Sequence, residues 1–270
     1  NIQNYFNTSK HAITILPGFV AQSETGDITT LGRGGSDYTA SIVAAALNAK
    51  ILEIWTDVSG MYTANPKIVK QAKPIDYISY REAMELSHFG AKVLYPPTVQ
   101  PVLDANIPVL IKNTMQPEDT GTRISNETDI SIKTPVKGIT NIGNIALLTL
   151  QGSGMVGVPG FSKRLFETLA QEKINVIFIT QASSEHAICF GIDQKDTVNA
   201  QHAINATFEY EITLKKIEPI SVENQLSIIA LIGDNMKNHQ GISGRMFSTL
   251  GKNNINVRAI AQGASERNIS

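Results

Sequence analysis

The densest chemistry in the chain lies in one turn, Thr29 to Ala40, which reads Thr-Thr-Leu-Gly-Arg-Gly-Gly-Ser-Asp-Tyr-Thr-Ala. Gly32, Gly34 and Gly35 carry no Cβ, so they can take φ > 0 and bring bare N–H groups up to a ligand. Ser36 and Asp37 are good N-cap residues for the apolar run Ala40 to Leu47, and the start of such a helix attracts negative charge. Arg33, inside the turn, offers a planar fork of donors matched to a carboxylate or a phosphate. The chemistry expected here is anion binding. The spacing fits neither a P-loop (Gly-x-x-x-x-Gly-Lys-Ser/Thr) nor a dinucleotide fingerprint (Gly-x-Gly-x-x-Gly). An ordinary glycine-rich turn capping an ordinary helix is the alternative.

The elements around this turn alternate. His11 to Leu16 reads as a strand ending at Pro17-Gly18, Asp37 to Asn48 as a helix, and Lys50 to Trp55 as a second strand. Tyr80 to Phe89 and Pro97 to Ala105 read as helices, and Ile107 to Ile111 as a further strand. Such alternation predicts an α/β domain with a mostly parallel sheet, and the turn-rich stretch from Pro117 to Gly138 reads as a connector.

Composition adds bounds. At 270 residues, two or three domains are expected. With 42% hydrophobic and 17% charged residues the mixture is that of a globular protein. A net charge of −1 gives no broad field for nucleic acid or an anionic membrane, so anion binding must be local. The single cysteine, Cys189, cannot form an internal disulfide and reads as a small hydrophobe in a strand. The five histidines show no metal-ligand spacing, and no metal site is expected from protein residues. There is no apolar run of about 18 residues and no signal peptide at the start, so the location expected is the cytoplasm. The chain opens on Asn and stops at Ser270 just after the start of a strand, and it is expected to be a piece of a longer protein.

The second half holds an internal repeat. A shift of 81 positions lays Gly160–Ile188 on Gly241–Ile269 without a gap, pairing Ser162 with Ser243, Arg164 with Arg245, and Ile174-Asn175-Val176 with Ile255-Asn256-Val257. Two copies of one supersecondary unit explain it. The first copy reads as strand Ile145–Leu150, helix Gly160–Gln171, strand Asn175–Thr180, strand His186–Ile192, helix Thr197–Thr207 and strand Tyr210–Ile217. That is βαββαβ, a ferredoxin-like order, with the second copy cut off after its second strand.

Four segments carry a resemblance to a known family: Thr30-Leu31-Gly32-Arg33-Gly34-Gly35-Ser36-Asp37; Trp55 through Lys67, reading Trp-Thr-Asp-Val-Ser-Gly-Met-Tyr-Thr-Ala-Asn-Pro-Lys; Phe89-Gly90-Ala91-Lys92-Val93-Leu94-Tyr95-Pro96-Pro97; and Gly121-Thr122. In this order, over essentially the whole chain, they resemble the aspartate kinases of the amino acid kinase family, and the repeat resembles a tandem pair of ACT domains. The resemblance implies an α/β amino acid kinase fold, a partial three-layer α/β/α arrangement, followed by tandem ferredoxin-like ACT domains, the second truncated. It places the C-terminal part of a kinase domain at 1–128, a linker at 129–143, and ACT domains at 144–224 and 225–270.

The activity implied is transfer of the γ-phosphoryl group of MgATP to the side-chain carboxylate of L-aspartate, with ATP and Mg2+ as cofactors. The resemblance assigns Arg33, Gly34, Gly35 and Ser36 to aspartate. It gives Asp37 the catalytic role of orienting a phosphate-binding lysine or a metal-bound water. Thr56, Asp57 and Tyr62 would surround the adenosine, Lys67 would reach the phosphates, and Lys92 with Val93 would complete the nucleotide pocket. A strand-ending turn at Thr56-Asp57 and solvated surface lysines at Lys67 and Lys92 are the plain alternatives. Lys67 stands where relatives often carry arginine, and the family's Lys-Phe-Gly-Gly motif is absent, so the chain by itself is expected to be inactive.

Gln181 and Gln262 end the second strand of each copy and can both donate and accept hydrogen bonds. With the Ser-Glu-x-x-Ile endings they resemble the threonine-sensitive kinases fused to homoserine dehydrogenase, which implies an allosteric amino acid, threonine, at these residues, with lysine left open. Polar strand ends that bind nothing are the alternative. A homo-oligomer formed through the ACT domains is expected, with no nucleic-acid or membrane partner. A non-catalytic, amino acid-sensing and dimerising module with a vestigial kinase half is the competing reading of the whole chain.

Overall fold

The computed structural model describes residues 2–88, 93–126, 134–181, 186–262 and 268–270. The chain separates into two compact units: Asn1–Thr140 with Ala230–Gln240 and Ser265–Asn268, and Asn141–Ile229 with Gly241–Ala264 and Ile269–Ser270. No helix among the described residues is long and apolar enough to cross a membrane.

The first unit begins with helix α1 (Ile2–Thr8) and a small antiparallel pair, β1 (Val20–Gln22) with β2 (Ile28–Thr30). Helix α2 (Gly35–Ala46) follows, then β3 (Leu52–Thr56), β4 (Tyr77–Ser79), α3 (Tyr80–His88), a 3-10 turn at Pro96–Val99, α4 (Gln100–Asp104), β5 (Val109–Asn113) and β6 (Thr122–Ser125). The sheet order is β3-β5-β6-β4. β3 pairs with β5, and β4 with β6, in parallel, while β5 and β6 are antiparallel. Leu52, Ile54, Val109 and Ile111 alternate into the core along the two parallel strands.

Several expectations are corrected here. His11–Leu16 forms no strand; Ile13 and Ile15 are 80% and 90% exposed, and an extended segment becomes a strand only when a neighbour supplies its ladder. The sheet is mixed because β6 returns antiparallel to β5 from within the stretch read as connector. Gly121 makes that return possible: its φ is 76°, and a Cβ there would run into the Ile111 carbonyl.

Helix α3 starts with a capping box. Ser79 Oγ accepts from Glu82 N–H at 3.0 Å, and Glu82 Oε2 accepts from Ser79 N–H at 3.1 Å. Glu82, only 4% exposed, also accepts from Asp234 N–H at 2.8 Å, and Ser79 Oγ reaches Asp234 Oδ2 at 2.5 Å.

The second unit contains most of a five-stranded sheet. Its elements are β7 (Gly138–Gln151), α5 (Phe161–Gln171), β8 (Val176–Gln181), β9 (Ala187–Asp193), α6 (Thr197–Thr207), α7 (Glu209–Thr213), β10 (Ser221–Ile232), α8 (Ile242–Lys252) and β11 (Asn268–Ile269). The order β11-β10-β7-β9-β8 contains the ferredoxin-like arrangement, with β10 as its fourth strand. β7 already begins at Gly138, inside the stretch read as linker.

The expected fourth strand, Tyr210–Ile217, is corrected to helix α7 and a turn at Lys215 (φ 56°). Phe208 is buried and Ile212 packs on the core one helical turn later, while Tyr210 is 72% exposed. An alternating pattern here satisfies a helix with a one-sided face. β10 serves twice: it is the fourth strand of the first copy, and Leu226–Leu231 repeats Ile145–Leu150 at the 81-residue shift.

The repeat extends to backbone detail. α5 and α8 span matching residues behind Gly160 (φ 101°) and Gly241 (φ 83°). Positive φ recurs at Asn144 and Gln225 (58° and 62°) and at Lys173 and Asn254 (57° each). The Gln181–Ile188 pair of β8 and β9 returns as the Gln262–Ile269 bridge. The copies differ in packing. Phe161, Leu165 and Leu169 of α5 are buried, whereas α8 buries no residue fully, and Met246, Phe247 and Leu250 line a cavity of about 400 Å³.

Candidate functional site

The glycine-rich turn joins β2 to α2 and is left-handed at two points, Gly32 (φ 73°) and Gly34 (φ 71°). Gly34, not Ser36 or Asp37, is the N-cap, and the helix starts at Gly35. This correction moves Ser36 and Asp37 into the first turn, where backbone N–H groups lack intrahelical partners and where the Asp37 carboxylate complements the helix dipole. Gly35 N–H donates to the Gly32 carbonyl at 3.1 Å, and no side chain caps this helix end; an uncapped helix start suits an anion. Arg33 is exposed on the turn.

Two aromatic residues that sequence reasoning passed over shape the cradle. Phe19 holds φ 77°, an unusual conformation for a bulky residue. It is fixed by donating its N–H to Thr39 Oγ1 at 3.1 Å and accepting from Leu31 N–H at 2.9 Å. It covers Gly35, where a Cβ would lie 2.8 Å from the Phe19 ring. Tyr95 stands on the other side with the Arg33 guanidinium 5.4 Å from its ring centre. A Cβ on Gly34 would come within 2.8 Å of Thr98 and 3.2 Å of Tyr95. The signal for both was available, since Phe19 follows Pro17-Gly18 and Tyr95 lies within the third matched segment.

Helix α2 packs on β3 and joins it through residues 47–51. The turn opens α2, and Thr56 and Asp57 stand at the end of β3. Ligands of open α/β sheets bind at such carboxyl ends of parallel strands. Thr56 Oγ1 donates to Asp57 Oδ1 at 3.2 Å, and the Thr56 carbonyl accepts from Thr114 N–H, tying the ends of β3 and β5 together. Next to them, Ser59 donates to Asp119 and accepts from Asn113 Nδ2 at 2.9 Å. Lys112 lies 5.6 Å from the Trp55 ring centre.

Beyond Gly60 (φ 108°), Met61 is buried and its N–H donates to Thr122 Oγ1 at 2.8 Å. Thr122, fully buried, in turn donates to the Ile75 carbonyl at 2.6 Å. The loop this closes carries half-buried Tyr62, bridged to Pro74, and exposed Lys67. The structure thus groups Arg33 to Asp37 in one turn and Thr56 with Asp57 at one strand end, and it places Tyr62 and Lys67 on the loop that follows. Val93 is half buried. Lys92 lies outside the described residues.

Burial pushes the Asp37 carboxyl above the usual carboxylate range. A half-buried carboxylate at a helix start remains free to face a cation. Among the described residues no group of three Asp, Glu, His or Cys could hold a metal alone. A magnesium ion carried by nucleotide phosphates needs only one or two protein carboxylates, so the lack of such a cluster does not conflict with one, and Asp37 is the carboxylate in this turn. Gln181 and Gln262 are both exposed at the ends of matching segments, and neither lines the cavity beside α8.

Comparison with known proteins agrees with this architecture. Residues 1–113 match the model of the amino acid kinase family, and residues 148–208 and 229–270 match an ACT domain. The chain is 46% identical over 264 residues to a bifunctional aspartokinase/homoserine dehydrogenase of Haemophilus influenzae, covering 98% of this chain and 32% of that protein. It therefore spans about a third of the length of that relative. The crystal structure of Clostridium acetobutylicum aspartate kinase superposes with a TM-score of 0.84 at 34% identity, over 94% of this chain and 57% of that one. Escherichia coli aspartokinase III, in complex with aspartate and ADP, superposes with a TM-score of 0.75 at 35% identity, over 93% and 55%. With its glycine-rich turn, its mixed α/β sheet and its duplicated ferredoxin-like unit, the chain is similar over nearly its whole length to the aspartate kinases, its first part matching the amino acid kinase family and its second the ACT domain.

Proposed function

We propose that this chain supplies the acceptor side and part of the nucleotide side of an aspartate kinase, which transfers the γ-phosphoryl group of MgATP to the side-chain carboxylate of L-aspartate. The observation that carries this reading is the uncapped helix start behind Gly34, with Arg33 beside it. The acceptor carboxylate is ionised near neutral pH, so no general base is needed. One carboxylate oxygen forms a bond to the γ-phosphorus as the bond to the β,γ-bridging oxygen breaks; ADP leaves with that electron pair, and no proton moves. The work left to the protein is alignment of two anions and neutralisation of their charge.

In this reading Arg33 grips an aspartate carboxylate, Gly34 and Gly35 let the backbone approach it, and Ser36 adds a hydroxyl. Asp37 orients a metal-bound water or a phosphate-binding lysine. Thr56, Asp57, Tyr62 and Val93 border the nucleotide, and Lys67 and Lys92 meet its phosphates. The magnesium ion supplies charge neutralisation on those phosphates. Gln181 and Gln262 read an allosteric amino acid, threonine, in a homo-oligomer built through the ACT units and located in the cytoplasm. A bifunctional aspartokinase/homoserine dehydrogenase is among the relatives, the type that the Gln181 and Gln262 segments resemble.

The test is ADP release by the enzyme expressed from its complete gene, with aspartate against glutamate as acceptor. Aspartate is expected to turn over and glutamate not to. Arg33→Ala is expected to raise the KM for aspartate roughly 10- to 100-fold, the worth of a charged hydrogen-bonded pair, with the KM for ATP within about twofold. Equal turnover of glutamate would remove the reading. Threonine calorimetry, with Gln181→Ala and Gln262→Ala each weakening the heat, tests the effector assignment.

A further inference from the structure

We propose that Tyr95 is the positioning residue for the acceptor arginine, holding the Arg33 guanidinium by its face so that its edge stays free for the substrate carboxylate. This rests on the reading of Arg33 given above. Arg33 sits between two left-handed glycines on an exposed turn, and none of the salt bridges among the described residues includes it. A long cation in that setting samples many rotamers, which a substrate would have to freeze out on binding. The one described contact that restrains its head group is the Tyr95 ring, 5.4 Å from the guanidinium carbon and within cation–π range.

The choice of an aromatic partner has a chemical reason. A carboxylate partner would take the in-plane N–H groups of Arg33, the same donors that grip a substrate carboxylate in a two-pronged pair. A ring interacts with the flat face of the guanidinium and leaves the N–H fork open. Tyr95 therefore orders the arginine without competing with the ligand.

Tyr95 is itself held in place. It stands at the head of the 3-10 turn Pro96–Val99, and its carbonyl accepts from Thr98 N–H at 2.9 Å and from Thr98 Oγ1 at 2.6 Å. Its side chain lies against the cradle, since a Cβ on Gly34 would come within 3.2 Å of Tyr95 Cδ1 and 3.3 Å of its Cβ. At 39% exposed it is not a core residue; its ring faces the turn that carries Arg33. Gly34 thus has two duties, a left-handed φ and room for this wall.

The experiment compares Tyr95→Phe, Tyr95→Leu and Arg33→Ala in the enzyme expressed from its complete gene, measuring KM for aspartate, KM for ATP, kcat and the melting temperature. Tyr95→Leu keeps bulk and removes the π face. It is expected to raise the aspartate KM roughly 3- to 10-fold, leaving the ATP KM within twofold and kcat largely intact. Tyr95→Phe keeps the face and is expected to restore the aspartate KM. The proposal is overturned if Tyr95→Leu leaves the aspartate KM unchanged while Arg33→Ala raises it, if Tyr95→Phe behaves like Tyr95→Leu, or if both KM values rise together with a fall in melting temperature. Should Arg33→Ala itself leave the aspartate KM unchanged, the assignment of Arg33 fails, and the role given to Tyr95 falls with it.

Discussion

Two glycines two residues apart offer a controlled measurement of how tightly the cradle is built. Gly32 and Gly34 have nearly equal φ, 73° and 71°. A Cβ on Gly32 would meet nothing within 4 Å, while one on Gly34 would press on Thr98 Cγ2 at 2.8 Å and on Tyr95. Alanine at either position pays about 1–2 kcal/mol for a left-handed backbone, partly offset by about 0.4–1 kcal/mol from a stiffer unfolded chain. Only Gly34→Ala adds an overpacking cost of about 1–3 kcal/mol. The expected destabilisation is therefore about 1 kcal/mol for Gly32→Ala and about 2–4 kcal/mol for Gly34→Ala. Urea unfolding followed by Trp55 fluorescence reads this unit directly, because Trp55 is the only tryptophan and lies on β3. Gly34→Ala is also expected to raise the aspartate KM, by displacing Tyr95. Equal costs for the two substitutions would refute the close approach of Tyr95 and Thr98 to the turn.

Further outcomes follow from three titratable groups. Burial raises the Asp37 carboxyl above its ordinary value, so its favourable contribution is present at low pH and is lost as pH rises through the folded-state value. Asp37→Asn is accordingly expected to raise the melting temperature at pH 7 while lowering kcat by about 100-fold or more; a lower melting temperature would contradict this. The Tyr80 phenol is buried, donates to the Ile107 carbonyl, and has its pKa pushed up to about 12 by desolvation. Stability should therefore fall between about pH 10 and 12. Tyr80→Phe should abolish that fall and cost about 1–3 kcal/mol at pH 8, through the carbonyl left without its donor, as urea curves at pH 8 and 11 would show. In the second unit, Glu211 pairs with Arg164, whose guanidinium lies 4.5 Å from the Phe208 ring centre. The hydrogen bond from Arg164 holds the Glu211 carboxyl below its usual value. Its stabilisation is present above the ordinary glutamate range and is lost as pH falls through the folded value. Glu211→Gln should then cost about 0.5–1 kcal/mol at pH 7 and progressively less in acid, measured by melting across that range.

Most of the local structure was legible because it depends on local pattern. α6 spans Thr197–Thr207 as its periodicity implied, α3 keeps the expected start at Tyr80, and α5 begins one residue inside the expected range. The 81-residue repeat survives down to paired left-handed residues, since the same turn chemistry recurs in both copies. What failed were segments whose state is set by distant partners. His11–Leu16 has strand-forming residues and no described ladder, Tyr210–Ile217 alternates and yet folds onto the core as a helix, and Thr122–Ser125 looked like connector and became an inner strand.

The site divides in the same way. Residue types alone suggested an anion-binding turn at Gly32 to Asp37, because glycine spacing and helix-start chemistry are short-range properties, whereas Thr56 and Asp57 were marked only by the family resemblance. The sequence by itself also showed the 81-residue duplication and the first five elements of the first copy, through periodicity and repetition, but not its fourth strand. Tertiary structure decided that Gly34 rather than Ser36 caps the helix, that one strand, β10, completes the first copy and opens the second, and that Phe19 and Tyr95 form the cradle's walls. Those facts depend on residues far apart in the chain coming within a few ångströms of one another. Such contacts are fixed by packing and strand pairing, and no local window of sequence contains both partners.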